Sequence, residues 1–149
     1  MDLNQLLAIR MEAILHGALS AMNRSHLKHY EASGASCTRE QLAACLNLIQ
    51  QSLAEKHLDP LTAHIEKVAK ERFAAGYDLS EVQTAINVLE ETIWKAIVEH
   101  VGTKDLATSL GLVSTVIGAA KDQLARTWVE LASRTRTTAI DYQSLFTDR

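Results

Sequence analysis

Apolar residues recur every three or four positions through most of this chain, and few residues capable of breaking a helix interrupt them. That spacing marks helices with one buried face. One proline and six glycines in 149 residues leave room for few breaks. Leu3, Leu7, Met11, Ile14, Ala18 and Met22 share one face of a first helix, which ends within NRSHLKHYEASGAS, where Ser33, Gly34 and Ser36 supply a loop. Thr38 with Gln41 three residues on has the form of a capping box. The second helix then buries Leu42, Cys45, Leu46, Ile49 and Leu53 and ends near His57. Asp59-Pro60 opens a third helix, because aspartate caps and proline at the first helical position forfeits no hydrogen bond. Leu61, Ile65, Val68 and Phe73 face inward until Gly76, a residue suited to a left-handed stop. Asp78 and Glu81 begin a fourth helix that carries Leu79, Val82, Ile86, Leu89, Ile93 and Ile97 on one side and ends at Gly102. The fifth runs from about Lys104 to the mid-130s through Leu106, Leu110, Val113, Ile117, Leu124 and Leu131. VSTVI favours a strand in isolation, but its surroundings keep helical spacing.

Five helices with short connections predict an all-α single domain over residues 1–149 with a long C-terminal helix. The packing is an antiparallel bundle or a globin-like arrangement. The tail over 135–149 is more polar, and Tyr142, Leu145 and Phe146 allow it to dock as a short helix. A net charge of −3 and a pI near 6.0 argue against a nucleic-acid partner. Cys37 and Cys45 do not make a disulfide framework and read as reduced thiols. Asp2, Arg10, Glu12 and His16 break the apolar start, so it does not resemble a signal peptide. LATSLGLVSTVIGAA falls short of the roughly 20 apolar residues of a membrane span. These readings predict a cytoplasmic protein without a membrane partner.

Signatures of phosphate-binding loops, hydrolases and zinc proteases are absent. The six histidines lack zinc-ligand spacing: His26 and His29 lie at a helix end, and a proline separates His57 from His64. A haem needs a single protein ligand, and His64, beside the inward Ile65, and His100, at a helix end, are the positions that could supply it. HLKHY has a histidine and a lysine but no small-residue pattern after it, which does not favour phosphotransfer. Glu90 and Glu91 point to different sides of their helix, and Glu66, Lys67, Lys70 and Glu71 form a solvated face. Cys37 lacks an obvious histidine partner for nucleophilic work. Ala107, Gly111, Ser114, Gly118 and Ala125 fall at helical spacing on the last helix. Glycine inside a helix costs on the order of 1 kcal/mol against alanine, so this stripe implies close approach by another backbone, internal or from a second copy. Trp94 and Trp128 are candidates for core or interface anchors.

Tyr30 at the close of the first helical region, Asp59-Pro60-Leu61, and the series Arg72, Gly76, Leu79, Glu81-Val82 together resemble the RsbRD-type amino-terminal domain of RsbT co-antagonist proteins. The resemblance covers roughly residues 5 to 135 and rests on residues of structural character. It implies a helical input module of bacterial signalling, some members being related to globins without haem, that feeds a carboxy-terminal output domain. It implies no catalytic residue and no cofactor, and it places Arg72 and Gly76 at the turn between helices, with Arg72 available to an acidic helix end. The chain stops soon after its last long helix, so output is expected to pass to a separate partner or to belong to a changed role. The combined expectation is a non-catalytic sensor or interaction domain, homodimeric through Gly111, Ser114, Gly118 and Trp128, with an unidentified signalling protein as partner. A small-ligand or haem-binding domain is the alternative.

Overall fold

A computed structural model describes residues 1–147 of the chain, with side chains described for residues 1–135. Six helices follow one another: α1 (Leu3–Ser25), α2 (Lys28–Ser33), α3 (Ala35–Glu55), α4 (Asp59–Ala74), α5 (Leu79–His100) and α6 (Thr103–Thr147). The sixth is α2, set where the periodicity predicts a fraying end and a loop. His26 enters the left-handed region at φ 50 and stops α1, and Gly34 at φ 90 separates α2 from α3. The proposed docking of Tyr142, Leu145 and Phe146 lies outside the residues whose side chains are described.

The ends of the helices show where local chemistry differs from the sequence reading. α1 carries a capping box: the Gln5 N–H donates to Asp2 Oδ1 at 2.8 Å and the Asp2 N–H to Gln5 Oε1 at 3.1 Å. Thr38 and Gln41 do not cap α3, which begins three residues earlier at Ala35; Thr38 is buried and its hydroxyl reaches the Tyr30 carbonyl at 3.5 Å. Pro60 does occupy the first turn of α4, but Asp59 is already helical and caps nothing, and Leu58 stands at the cap position. The expected stop at Gly102 takes another form. α5 ends at His100, Val101 is extended, and the Gly102 carbonyl accepts the Asp105 N–H at 3.0 Å as α6 begins.

The apolar faces close into a ring. α1 packs between α3 and α5, α6 packs between α5 and α4, and α3 meets α4. The core at its centre includes Leu6, Leu7 and Ile14 of α1, Leu46 and Ile49 of α3, Leu61 and Ile65 of α4, Leu89, Ile93 and Ile97 of α5, and Ile117 and Leu124 of α6, all fully buried. Each such side chain contributes about 1.5–3 kcal/mol by leaving water. Gly17 allows α1 to approach α5 closely, since a Cβ there would stand 3.0 Å from Thr92 Cγ2. The Thr92 hydroxyl donates to the Val88 carbonyl at 2.7 Å, which holds the methyl in that place.

Candidate functional site

α2 brings His29 and Tyr30 against the junction of α4 and α5. Glu81, in the first turn of α5 and 5% exposed, is the tie. Its Oε1 accepts the His29 N–H at 2.8 Å, and its Oε2 accepts the Asp78 N–H at 2.9 Å and meets His29 Nδ1 at 2.7 Å. Burial pushes the carboxyl pKa up, but the donors from His29 and Asp78 outweigh it and hold the group below its ordinary 4.5. The His29 ring stacks on Tyr77 at 4.8 Å, and Tyr77 meets Tyr30 edge-on at 5.2 Å. The turn that presents Tyr77 depends on Gly76 at φ 84: the Tyr77 N–H reaches back to the Arg72 carbonyl at 3.0 Å and the Gly76 N–H to Phe73 at 3.2 Å. This pair of bonds is a Schellman motif, in which glycine accepts the left-handed conformation without steric penalty.

Arg72, on the last turn of α4, is 8% exposed. Its guanidinium lies over the rings of Tyr77 and Tyr30, at 5.4 and 6.0 Å from their centroids. Such cation–π contacts favour a partly desolvated cation. Nη1 comes within 3.8 Å of Glu71 Oε2, a half-exposed carboxylate, while Nε is buried without a hydrogen-bond partner. Beside it, a cavity of ≈ 240 Å³ opens between α3, α4 and α5, walled chiefly by apolar groups such as Leu42, Ile65 and Ile86. Gln41 also lines it, and its buried Oε1 likewise lacks a partner. Burial pushes the Cys45 thiol on the wall up to about 12. Burial lowers the His64 pKa, helped by the nearby Lys67, and burial raises that of Tyr30 against the opposing bond from Arg72.

Tyr30, Arg72, Gly76 and Glu81, spread over 52 residues of sequence, therefore meet at one end of the bundle, with Leu79 packed partly buried at the start of α5. Pro60 stands at the other end of α4, about 18 Å away along the axis at 1.5 Å per residue. His64 lines the cavity and His100 does not; His100 sits at the end of α5, 3.7 Å from Glu99. Gly111 and Gly118 face open space on the outside of α6, and Ser114 is half-buried. Trp128, expected at an interface, is instead 9% exposed in the core, edge-on to Phe73 at 5.3 Å, because α4 and α6 pack side by side there. Trp94 is the outward tryptophan, 41% exposed on α5. The sequence reading missed Tyr77 and Gln41 as members of the site and read His29 as an ordinary helix-end residue. Adjacency offered one clue, since His29 precedes Tyr30 and Tyr77 follows Gly76. Gln41, read as a capping residue, carried none. Among the described residues, no group of three histidine, cysteine or acidic side chains is arranged to hold a metal ion, and no helix is long and apolar enough to cross a membrane.

Fold and site define an all-α bundle with a small apolar cavity bordered by Arg72 and Tyr30, which join Tyr77 and Glu81 in a cluster at one end of the bundle. A family model described as the RsbT co-antagonist protein rsbRD N-terminal domain matches residues 7–144. The chain belongs to that family, one of stress-signalling regulator domains. No curated protein and no solved structure matches it at a significant level.

Proposed function

We propose that the chain is a non-catalytic input or interaction module of a cytoplasmic bacterial stress-signalling system. It works as a homodimer in which α6 carries changes in helix packing to a partner protein. The supporting observation is the outward face of α6. Gly111 and Gly118 have open space around them, flanked by Leu112 at 51% and Val129 at 60% exposure. Two mid-helix glycines on a free surface cost on the order of 1 kcal/mol each in helix propensity with no internal contact to offset it. A second α6 approaching along that face supplies the contact. Lys121 of α6 bonds Glu90 of α5 at 2.7 Å, so movement of α6 is coupled to the helix that forms one wall of the cavity.

The alternative is a small-ligand or haem-binding domain; the position of His64 on the cavity wall favours its small-ligand form, since ≈ 240 Å³ holds a ring or short chain rather than a haem. One experiment addresses both readings: light scattering coupled to gel filtration, with the absorbance spectrum recorded before and after haem addition. A colourless dimer that Gly118→Leu converts to monomer supports the signalling module. A monomer at high micromolar concentration, indifferent to Gly118→Leu, removes the dimer, and a Soret band lost in His64→Ala makes haem binding the leading account.

A further inference from the structure

We propose that the cavity between α3, α4 and α5 binds a small organic monocarboxylate with a compact apolar body, its carboxylate received by Arg72 and Gln41. The proposal names an input for the module described above and takes its biological meaning from that reading.

Size sets the body of the ligand. A cavity of about 150 Å³ lined by aliphatic and aromatic side chains accommodates benzene. At ≈ 240 Å³ this one has space for a ring or short alkyl chain together with a carboxylate. Its walls of leucine, isoleucine and valine reward an apolar occupant.

Polarity sets the head group. Nearly all buried donors and acceptors in proteins have partners, so an unpaired one calls for an explanation. Two such atoms belong to residues that line this cavity, Arg72 Nε and Gln41 Oε1, each covered by neighbouring atoms, so a small side-chain shift brings them to a ligand. Arg72 is a buried cation whose nearest carboxylate, Glu71, is half exposed and 3.8 Å from Nη1, beyond hydrogen-bond distance. A carboxylate brought to Nε forms a charge-assisted bond in a medium of lower dielectric than water, which favours it over the solvent-screened Glu71. Glu40 also borders the cavity but is exposed, and water screens its repulsion. Gln41 offers either end of its amide. As placed, Nε2 donates to Cys37 Sγ at 3.4 Å; turned about its last bond, the amide presents N–H to the ligand and its oxygen to the Cys37 thiol.

Benzoate and octanoate are the probes, titrated into the ¹⁵N-labelled full chain and followed by two-dimensional NMR. The Arg72 Nε–H and the Gln41 side-chain amide are observable signals. The expected result is saturable movement of both, with benzoate binding at least tenfold more tightly than its neutral counterpart benzamide. Ala85→Leu, which adds a branched side chain to the α5 wall, is expected to keep the native spectrum and weaken benzoate at least tenfold. Arg72→Gln should do the same wherever it folds. Unmoved Arg72 and Gln41 signals overturn the site, as does undiminished binding to Ala85→Leu. Equal affinity for benzamide overturns the carboxylate. Oligomeric state, measured separately by light scattering, distinguishes failure of the ligand from failure of the dimer.

Discussion

Removing the Glu81 carboxylate should destabilise the domain by about 3 kcal/mol, a large share of the roughly 5–15 kcal/mol that holds a typical domain folded. Glu81→Ala leaves the part-buried His29 N–H without its 2.8 Å acceptor, and an unsatisfied buried donor costs about 1–3 kcal/mol. It also strips the Asp78 N–H of its acceptor at 2.9 Å, and losing a helix cap costs about 1 kcal/mol. The contact with His29 Nδ1 adds to the sum. Glu81→Gln keeps one acceptor oxygen but loses the charge, so about half the effect is expected. The pKa adds a signature. The carboxyl is held below its ordinary 4.5, so its stabilisation is fully present above that value and is lost as pH falls through the lower folded value. Urea unfolding of wild type and both variants, followed by circular dichroism between neutral and acid pH, measures all of this. Destabilisation under about 0.5 kcal/mol at neutral pH, against the penalty above, would refute the reasoning. So would a gap to Glu81→Gln that stays constant as the wild-type carboxylate protonates.

Two further outcomes follow from other contacts. Gly17→Ala alone meets the Thr92 methyl at 3.0 Å, whereas Gly17→Ala with Thr92→Ser removes that methyl. Relative to Thr92→Ser, the pair should gain about 1 kcal/mol of helix propensity, and a double-mutant cycle in thermal unfolding that shows no coupling would disprove the close approach. His64 has a folded pKa below its ordinary 6.5, so its contribution favours folding above 6.5 and is lost as pH falls below it toward the lowered value. The urea midpoint of His64→Gln should therefore fall less than that of wild type on acidification, and identical slopes would show that His64 is not desolvated.

The five long helices and their inward faces were legible because they depend on spacing alone, whereas the short α2 was not. Leu46, Ile49, Leu89, Ile93 and Ile117 are buried where the periodicity puts them. Helix starts were less so. Thr38-x-x-Gln41 has the composition of a capping box, yet Ala35, Ser36 and Cys37 were recruited into α3 ahead of it, and tertiary burial took Thr38 inward. The cluster was legible only as a family pattern. Nothing in the spacing of Arg72 and Tyr30 announces that their side chains meet, because the contact depends on α2 folding back over the α4–α5 turn. The cavity was illegible for a related reason: it is the space left among three helices, and a gap has no residue type. Trp128 could be read either way because an aromatic ring serves a core and an interface equally well. Only its position against Phe73 separates the two.

The ring order of the helices has a consequence for how the chain folds. α1 packs against α3 and most broadly against α5, whose first residue, Leu79, lies 54 positions beyond Ser25 at the end of α1. Until α5 has formed, Leu6, Leu7 and Ile14 lack part of their cover. Closing such a distant contact requires ordering the intervening chain first, which slows folding and leaves an apolar face open to wrong partners in the meantime. α4, α5 and α6 are consecutive and mutually packed, so they can assemble locally, whereas the amino-terminal helix completes its packing only once its distant neighbour is in place.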